Sequence, residues 1–259
     1  MIWNRHNILT VLKENKAFGL LTQGKHGLER ETLRTNADGT LALTSHPKGM
    51  SDPFTDPQIT TDFAESQLEF ITSPNDTIEK AIEELTHIHA RAVENLENDE
   101  LLWPSSMPCI LPELADISVA QYGDDPKAKI KETYRNGLVH RYGKYVQMLC
   151  GVHYNMSFSE DLWALLHQNF GDGETLQDFK NQAMLGLVRT FIRKRWLLAY
   201  LLGATPFRDE SYRCPKMTQF DMDTSIALRL SRCGYHNPEE VKILYNDFAD
   251  HLQLSLIHI

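Results

Sequence analysis

The sequence predicts an α+β fold built on an antiparallel sheet with long helices. Helical and strand-like segments come mixed rather than in the strict βαβ alternation of a doubly wound sheet. A hairpin signal lies near the N-terminus, where Leu28–Arg34 leads through Asn36-Ala37-Asp38-Gly39-Thr40 into a second short apolar run. The segment Gln147–Ser159 alternates like a strand with one apolar and one polar face.

Element by element, Asn7–Lys16 reads as a short amphipathic helix with Ile8, Leu9 and Leu12 on one side. Residues 46–58 are rich in Pro, Asp and Gly and read as a loop. The clearest helix spans Thr77–Asn98, with Asp76 as its cap, Glu79 closing a capping box, and Ile78, Ile82, Leu85 and Ile88 at helical spacing as its core stripe. Trp103–Gly123, with three prolines, reads as irregular. A second long helix covers Thr175–Leu202, ended by Gly203 with Pro206 beyond.

Composition bounds the function. Of 259 residues, 26 are Lys or Arg and 35 are Asp or Glu, giving a formal charge of −9; 42% are hydrophobic and 24% charged. That is ordinary globular material, with enough apolar content to offset the entropy of ordering. The acidic balance argues against a nucleic-acid partner or an anionic membrane surface. The N-terminus lacks the basic head and apolar core of a secretory signal, and Trp196–Ala204 is too short to span a bilayer. Cys109, Cys150, Cys214 and Cys233 show no CxxC spacing, so reduced thiols in a cytoplasmic protein are expected.

Three features carry chemistry. In Gln147–Ser159 the even positions Met148, Cys150, Val152, Tyr154, Met156 and Phe158 are apolar and suit a core. The odd positions include Gln147, Gly151, His153 and Asn155. A solvent face would carry Lys, Glu or Thr; these groups suit the wall of a site, with Gly151 admitting close approach. Glu29 and Glu31 stand two apart on a strand, so both carboxylates aim at one face and repel unless a cation or proton intervenes. A solvated surface pair would look the same. In Thr60–Thr72, Asp62 and Glu65 could form a capping box, but Glu69 sits within the apolar run Leu68-Glu69-Phe70-Ile71. A carboxylate there needs a partner, and hard oxygen donors favour magnesium or manganese.

Weaker signals carry less. His87 and His89 fall on different sides of a helix, Cys150 and His153 on opposite faces of a strand, and Gly171-Asp172-Gly173 lacks the context of a dinucleotide loop. Glu29 and Glu31 as the acid and base of a hydrolase would leave the His153 strand without a role.

Six blocks, in order, resemble the proteobacterial type of glutamate–cysteine ligase. They are Gly27–Arg34, Ile59–Thr72, Trp103–Pro108, Ala120–Gly123, Tyr134–Leu138 with Arg141-Tyr142-Gly143, and Gly151–Asn155. The resemblance implies a glutamine-synthetase-like catalytic domain. It implies ATP-dependent joining of the γ-carboxylate of L-glutamate to L-cysteine through a γ-glutamyl phosphate, the first step of glutathione biosynthesis. Carried over by position, Glu29, Glu31, Asp62, Glu69 and His153 would hold Mg2+ or Mn2+ ions, and Phe63, Tyr134, Leu138 and Gln147 would line the cysteine pocket. Arg135 is an anion partner, on chemistry more than on position. Family members continue beyond this length, with a further acidic metal ligand and an arginine of the substrate site. The expectation is therefore that residues 1–259 are the N-terminal part of one catalytic domain, with 254–259 a non-native tail. An inactive metal-binding fragment or interaction module is the alternative.

Overall fold

In the computed structural model, residues 5–203 and 208–214 are described, with single positions at 218, 228, 231 and 234. Cys233, Pro206 and the 254–259 tail lie outside the described residues. The fold is α+β. Five strands form one sheet: β1 (Gly24–Thr35), β2 (Ile59–Thr61), β3 (Gln67–Ile71), β4 (Leu101–Leu102) and β5 (Val152–Phe158). The path runs β2-β3-β1-β4, and β5 also pairs with β1. The β1–β3, β1–β4 and β2–β3 pairs are all antiparallel.

The described residues fall into two compact units. The first holds residues 5–26 and 156–203. It contains α1 (Arg5–Glu14), α4 (Glu160–Phe170) and α5 (Leu176–Leu202). Leu12, Leu162, Trp163, Leu166 and Phe179 form its core, and the Phe158 and Trp163 rings meet edge to face. Thr175 caps α5 by accepting from the Asp178 N–H, and Gly203 ends it, at the positions the sequence predicts. The apolar residues of α5 ring the helix: Phe179 and Leu185 are buried, while Phe191, Trp196 and Tyr200 are exposed.

The second unit, residues 27–155 with 208–214, carries most of the sheet, together with α2 (Ile78–Glu94) and α3 (Pro126–Tyr142). The cap of α2 is Thr77, which accepts from the Lys80 N–H, and not Asp76. Its buried residues are Ala81, Ile88 and Ala92, the last two packed on Ile59, Leu68 and Phe70; Ile78 and Ile82 stay exposed. The apolar period is right, but the sheet meets the helix through its C-terminal half. Hydrophobic periodicity does not mark α3, whose only strong signals are the Asp125 cap and Pro126 in the first turn.

The hairpin turn forms, with Gly39 at φ 83° and Asp38 accepting from Thr40, but the return strand is reduced to an isolated Thr35–Leu41 bridge. Beside it Arg34, fully buried, pairs with buried Glu100 at 2.5 Å. Its guanidinium also donates to Thr44 Oγ1 and to the carbonyls of Thr44, Ser45 and Glu65.

The strand expected from Gln147 begins only at Val152, because Tyr145–Met148 winds as a 3-10 turn. Met148 and Cys150 are core, joining Leu33, Phe63, Val146 and Leu149. Of the other predicted core positions, Phe158 is half-buried against Trp163, but Val152, Tyr154 and Met156 are 65%, 47% and 49% exposed. Alternation reports which residues share a face, and not whether anything covers it. Cys109 and Cys150 are free and buried, as the sequence predicts, whereas Cys214 departs from that expectation and is disulfide-bonded.

Candidate metal centre

Sheet register assembles the acidic face. Glu31 on β1 lies directly opposite Glu69 on β3, and Thr60 on β2 lies opposite Glu69 from the other side. Alternation puts Glu29 on the face of Glu31, and Asp62, two residues past Thr60, on the face of Thr60. The ladder extends to Asp62, whose N–H donates to the Gln67 carbonyl. The opposite face packs on α2, where Arg30 meets His89 at 2.6 Å. The α2 face of the sheet is thus committed to the core, and the other collects carboxylates beside the buried Leu33 and Gln67.

Backbone and β5 residues hold two of them. The Gly151 N–H donates to Glu31 Oε2 at 2.6 Å, and His153 Nε2 lies 3.1 Å from Glu31 Oε1. Asn155 Nδ2 donates to Glu29 Oε1 at 2.7 Å. Gly151 does admit a close approach: a Cβ there would stand 2.9 Å from His153 Nε2 and 3.5 Å from Glu31 Oε1. Glu65 is set apart from the acidic face. Its carboxylate accepts from the His46 and Gln121 N–H groups, and no helix starts at Asp62, so the capping box does not form.

Burial pushes the Glu69 carboxyl up to about 7, and the charges of Asp62, Glu31 and Glu29 add to it, with His153 opposing. A face that cannot ionise fully at neutral pH by itself is one a divalent cation would relieve, and hard carboxylate oxygens beside one imidazole suit magnesium or manganese. The donor set fits such an ion. As placed, no three His, Cys, Asp or Glu side chains among the described residues converge on one ion position. Glu31 is turned to Gly151 and His153, and Glu29 to Asn155.

The remaining predicted residues lie in the same unit but are less gathered. Phe63 is fully buried in the core, and Gln147 is also buried. Leu138 is half-buried and Tyr134 exposed on α3. Arg135 donates through Nε to the Asp62 carbonyl, and through its terminal nitrogens to the Thr61 and Lys131 carbonyls. Its guanidinium lies 4.9 Å over the Tyr122 ring. As placed it clamps the end of β2. The sequence placed Asn155 on the wall of a site without giving it a partner, and it gave no sign of the role of Tyr122.

Residues 9–257 match the family model described as glutamate-cysteine ligase. A glutamate–cysteine ligase from Janthinobacterium sp. (strain Marseille) is 41% identical over 255 residues, which cover 95% of this chain and 48% of that one. A bifunctional glutathione synthetase from Pasteurella multocida superposes with a TM-score of 0.80 at 35% identity, covering 96% of this chain and 32% of that one. A glutamate–cysteine ligase from Francisella tularensis in complex with AMP gives a TM-score of 0.80 at 32% identity, covering 89% and 47%. The chain spans about half the length of most of the curated relatives it matches.

Proposed function

This chain belongs to the glutamate–cysteine ligase family, and from that premise we propose that it carries the metal-binding part of an ATP-dependent ligase site that joins L-glutamate to L-cysteine. The observation that supports this reading most directly is the Glu31–Glu69 pairing, with Glu29 and Asp62 on the same face and His153 against Glu31. Glu29, Glu31, Asp62, Glu69 and His153 would hold Mg2+ or Mn2+. Bound there, such ions neutralise phosphate oxygens during transfer.

The reaction read here has two steps. An oxygen of the glutamate γ-carboxylate attacks the γ-phosphorus of ATP, the bond to ADP breaks, and an acyl phosphate forms. The cysteine amine then attacks the acyl carbon, phosphate leaves with the C–O bond, and the amine gives up a proton. In both steps the contribution of the chain is positioning. The Gly151 N–H and His153 fix the rotamer of Glu31, and Asn155 fixes that of Glu29. Arg135, by clamping the Thr61 and Asp62 carbonyls, sets the backbone that presents Asp62. Phe63, Tyr134, Leu138 and Gln147 would border the cysteine. Among the described residues no helix is long and apolar enough to cross a membrane, and small-molecule substrates in the cytoplasm complete the reading.

A second reading rests on the half-length coverage of the relatives: a chain that binds the cation without turnover. Two measurements on the purified chain separate these. Mn2+ titration followed by electron paramagnetic resonance tests the metal site, and ADP release with ATP, magnesium, glutamate and cysteine tests ligation. Cysteine-dependent ADP release supports the ligase. Mn2+ binding without ADP release supports the fragment, and absence of Mn2+ binding rejects both.

A further inference from the structure

Lys131 of α3 is a half-buried ammonium whose nearest partners are aromatic. Its Nζ stands 5.4 Å from the centroid of the Phe54 ring and 5.0 Å from that of Tyr122. One turn on, the Arg135 guanidinium lies over the same Tyr122 ring at 4.9 Å. Two like charges at i, i+4 repel, and here both lie within about 5 Å of the same ring centroid. Neighbouring Lys129 is neutralised by Glu132 at 3.1 Å and Asp124 at 3.6 Å. Among the described residues the Lys131 ammonium makes no hydrogen bond and no ion pair, so its three N–H donors are uncommitted.

Its position is fixed relative to the acidic face. The Tyr122 hydroxyl donates to the Thr61 carbonyl at 2.6 Å and accepts from Thr61 Oγ1 at 3.0 Å, which pins the ring to the end of β2 beside Asp62. The preceding loop carries Phe54, and the Pro53 carbonyl accepts from Thr60 Oγ1 at 2.6 Å. Thr60 in turn lies opposite Glu69. The ammonium also feels the Glu69 charge, though the two make no ion pair. A cation with three free donors therefore flanks a cluster of carboxylates suited to divalent ions.

We propose that Lys131, with the uncommitted N–H groups of Arg135, is a phosphate-binding seat beside the carboxylate face. A phosphate group there would be neutralised by the two side-chain cations on one side and by carboxylate-held divalent ions on the other. The dianion suits paired cations better than a carboxylate does. The proposal rests on the metal-binding reading above and adds to it the residue that takes the phosphate. The aromatic platform holds the ammonium in place without neutralising it.

The test uses the 259-residue chain and the variants Lys131→Met and Lys131→Arg. Methionine keeps an unbranched stem against the two rings and removes the charge; arginine restores it. Mn2+ alone is titrated first, then Mn·ATP, then inorganic phosphate in the presence of Mn2+. The expected result is Mn2+ affinity within about twofold of the parent in both variants, which also reports a preserved fold. Mn·ATP affinity should fall by about tenfold or more in Lys131→Met and return to within about threefold in Lys131→Arg. A parallel loss for inorganic phosphate identifies the seat as one for free phosphate too; a loss confined to Mn·ATP assigns it to the nucleotide. Unchanged Mn·ATP and phosphate binding in Lys131→Met overturns the proposal, as does a parent chain that binds Mn2+ but neither phosphate ligand. Failure of the parent to bind Mn2+ instead removes the metal reading on which the proposal stands.

Discussion

Glu31 and Glu69 face each other directly across the β1–β3 ladder, so one step of one sheet face carries two carboxylates. Like charges so placed oppose folding unless one is protonated or a cation joins them. The pair is therefore both the reason to place a metal here and a handle for detecting it.

The first prediction concerns Glu69→Gln. Burial, reinforced by Asp62, Glu31 and Glu29, raises the Glu69 carboxyl to about 7. The protonated acid thus favours the folded state. Its contribution is fully present below the ordinary carboxylate range and is lost as pH rises through about 7. In chelator-treated protein, Glu69→Gln should match the parent near pH 4.5 and exceed its thermal midpoint at pH 8 by roughly 2–4 °C, the shift of about 1 kcal/mol in a chain of this size. Saturating Mn2+ should reverse the order at pH 8, because the parent gains a ligand the variant lacks. Parallel pH profiles with and without Mn2+ would remove Glu69 from the site.

A second prediction separates periodicity from burial along α2. Ile88 is 3% exposed against Phe70 and Leu68, whereas Ile82 is 52% exposed. Ile88→Ala should cost about 2–5 kcal/mol in urea unfolding through lost transfer energy and a cavity, and Ile82→Ala under about 1 kcal/mol. Equal losses would mean that the helix is turned differently on the sheet.

Arg34 and Glu100 provide the third. Both side chains are fully buried, and Arg34 also ties down the Thr44 and Ser45 carbonyls. Glu100→Leu leaves the guanidinium charge buried without its carboxylate, at an expected cost of about 3–5 kcal/mol. The double variant Arg34→Met, Glu100→Leu should recover a large part of that loss, since no uncompensated charge remains. A double variant no better than Glu100→Leu would assign the damage to the loop contacts instead.

These residues also show what was legible in the sequence. The two-residue spacing of Glu29 and Glu31 and the apolar setting of Glu69 drew attention to three carboxylates, because strand alternation is a local rule, but only the family resemblance joined them in one site. Their meeting on one face depends on register, which pairs Glu31 with Glu69, 38 residues apart, and has no local signature. The helix α3 was missed because its apolar residues make no stripe, although Asp125-Pro126 is a valid start signal. On β5, local alternation was read correctly as two faces, but coverage of Val152 and Tyr154 is a tertiary property that no pattern encodes. The same limit applies to Arg135, whose carbonyl contacts at Thr61 and Asp62 come from chain packing.

The fourth prediction takes Gly151 as a spacing device. Its N–H donates to Glu31 Oε2, and the His153 ring folds back over its Cα hydrogens to reach Glu31 Oε1. An added methyl would stand 2.9 Å from His153 Nε2 and 3.4 Å from its Cδ2, closer than the ring can tolerate without turning away. In Gly151→Ala the backbone donor survives, but His153 is displaced and Glu31 loses one of its two restraints. Groups that orient a ligand without changing it commonly alter metal affinity by about 10–100-fold. Gly151→Ala should therefore weaken Mn2+ binding by roughly tenfold while changing urea stability by less than about 1 kcal/mol, the expectation for one methyl at a half-buried strand edge. Gly137→Ala is the control: no atom lies within 4 Å of the added carbon, and the site is helical, so it should leave Mn2+ binding unchanged and stabilise α3 slightly. If Gly151→Ala binds Mn2+ as tightly as Gly137→Ala, the placement of His153 does not matter to the metal, and its assignment as a ligand falls.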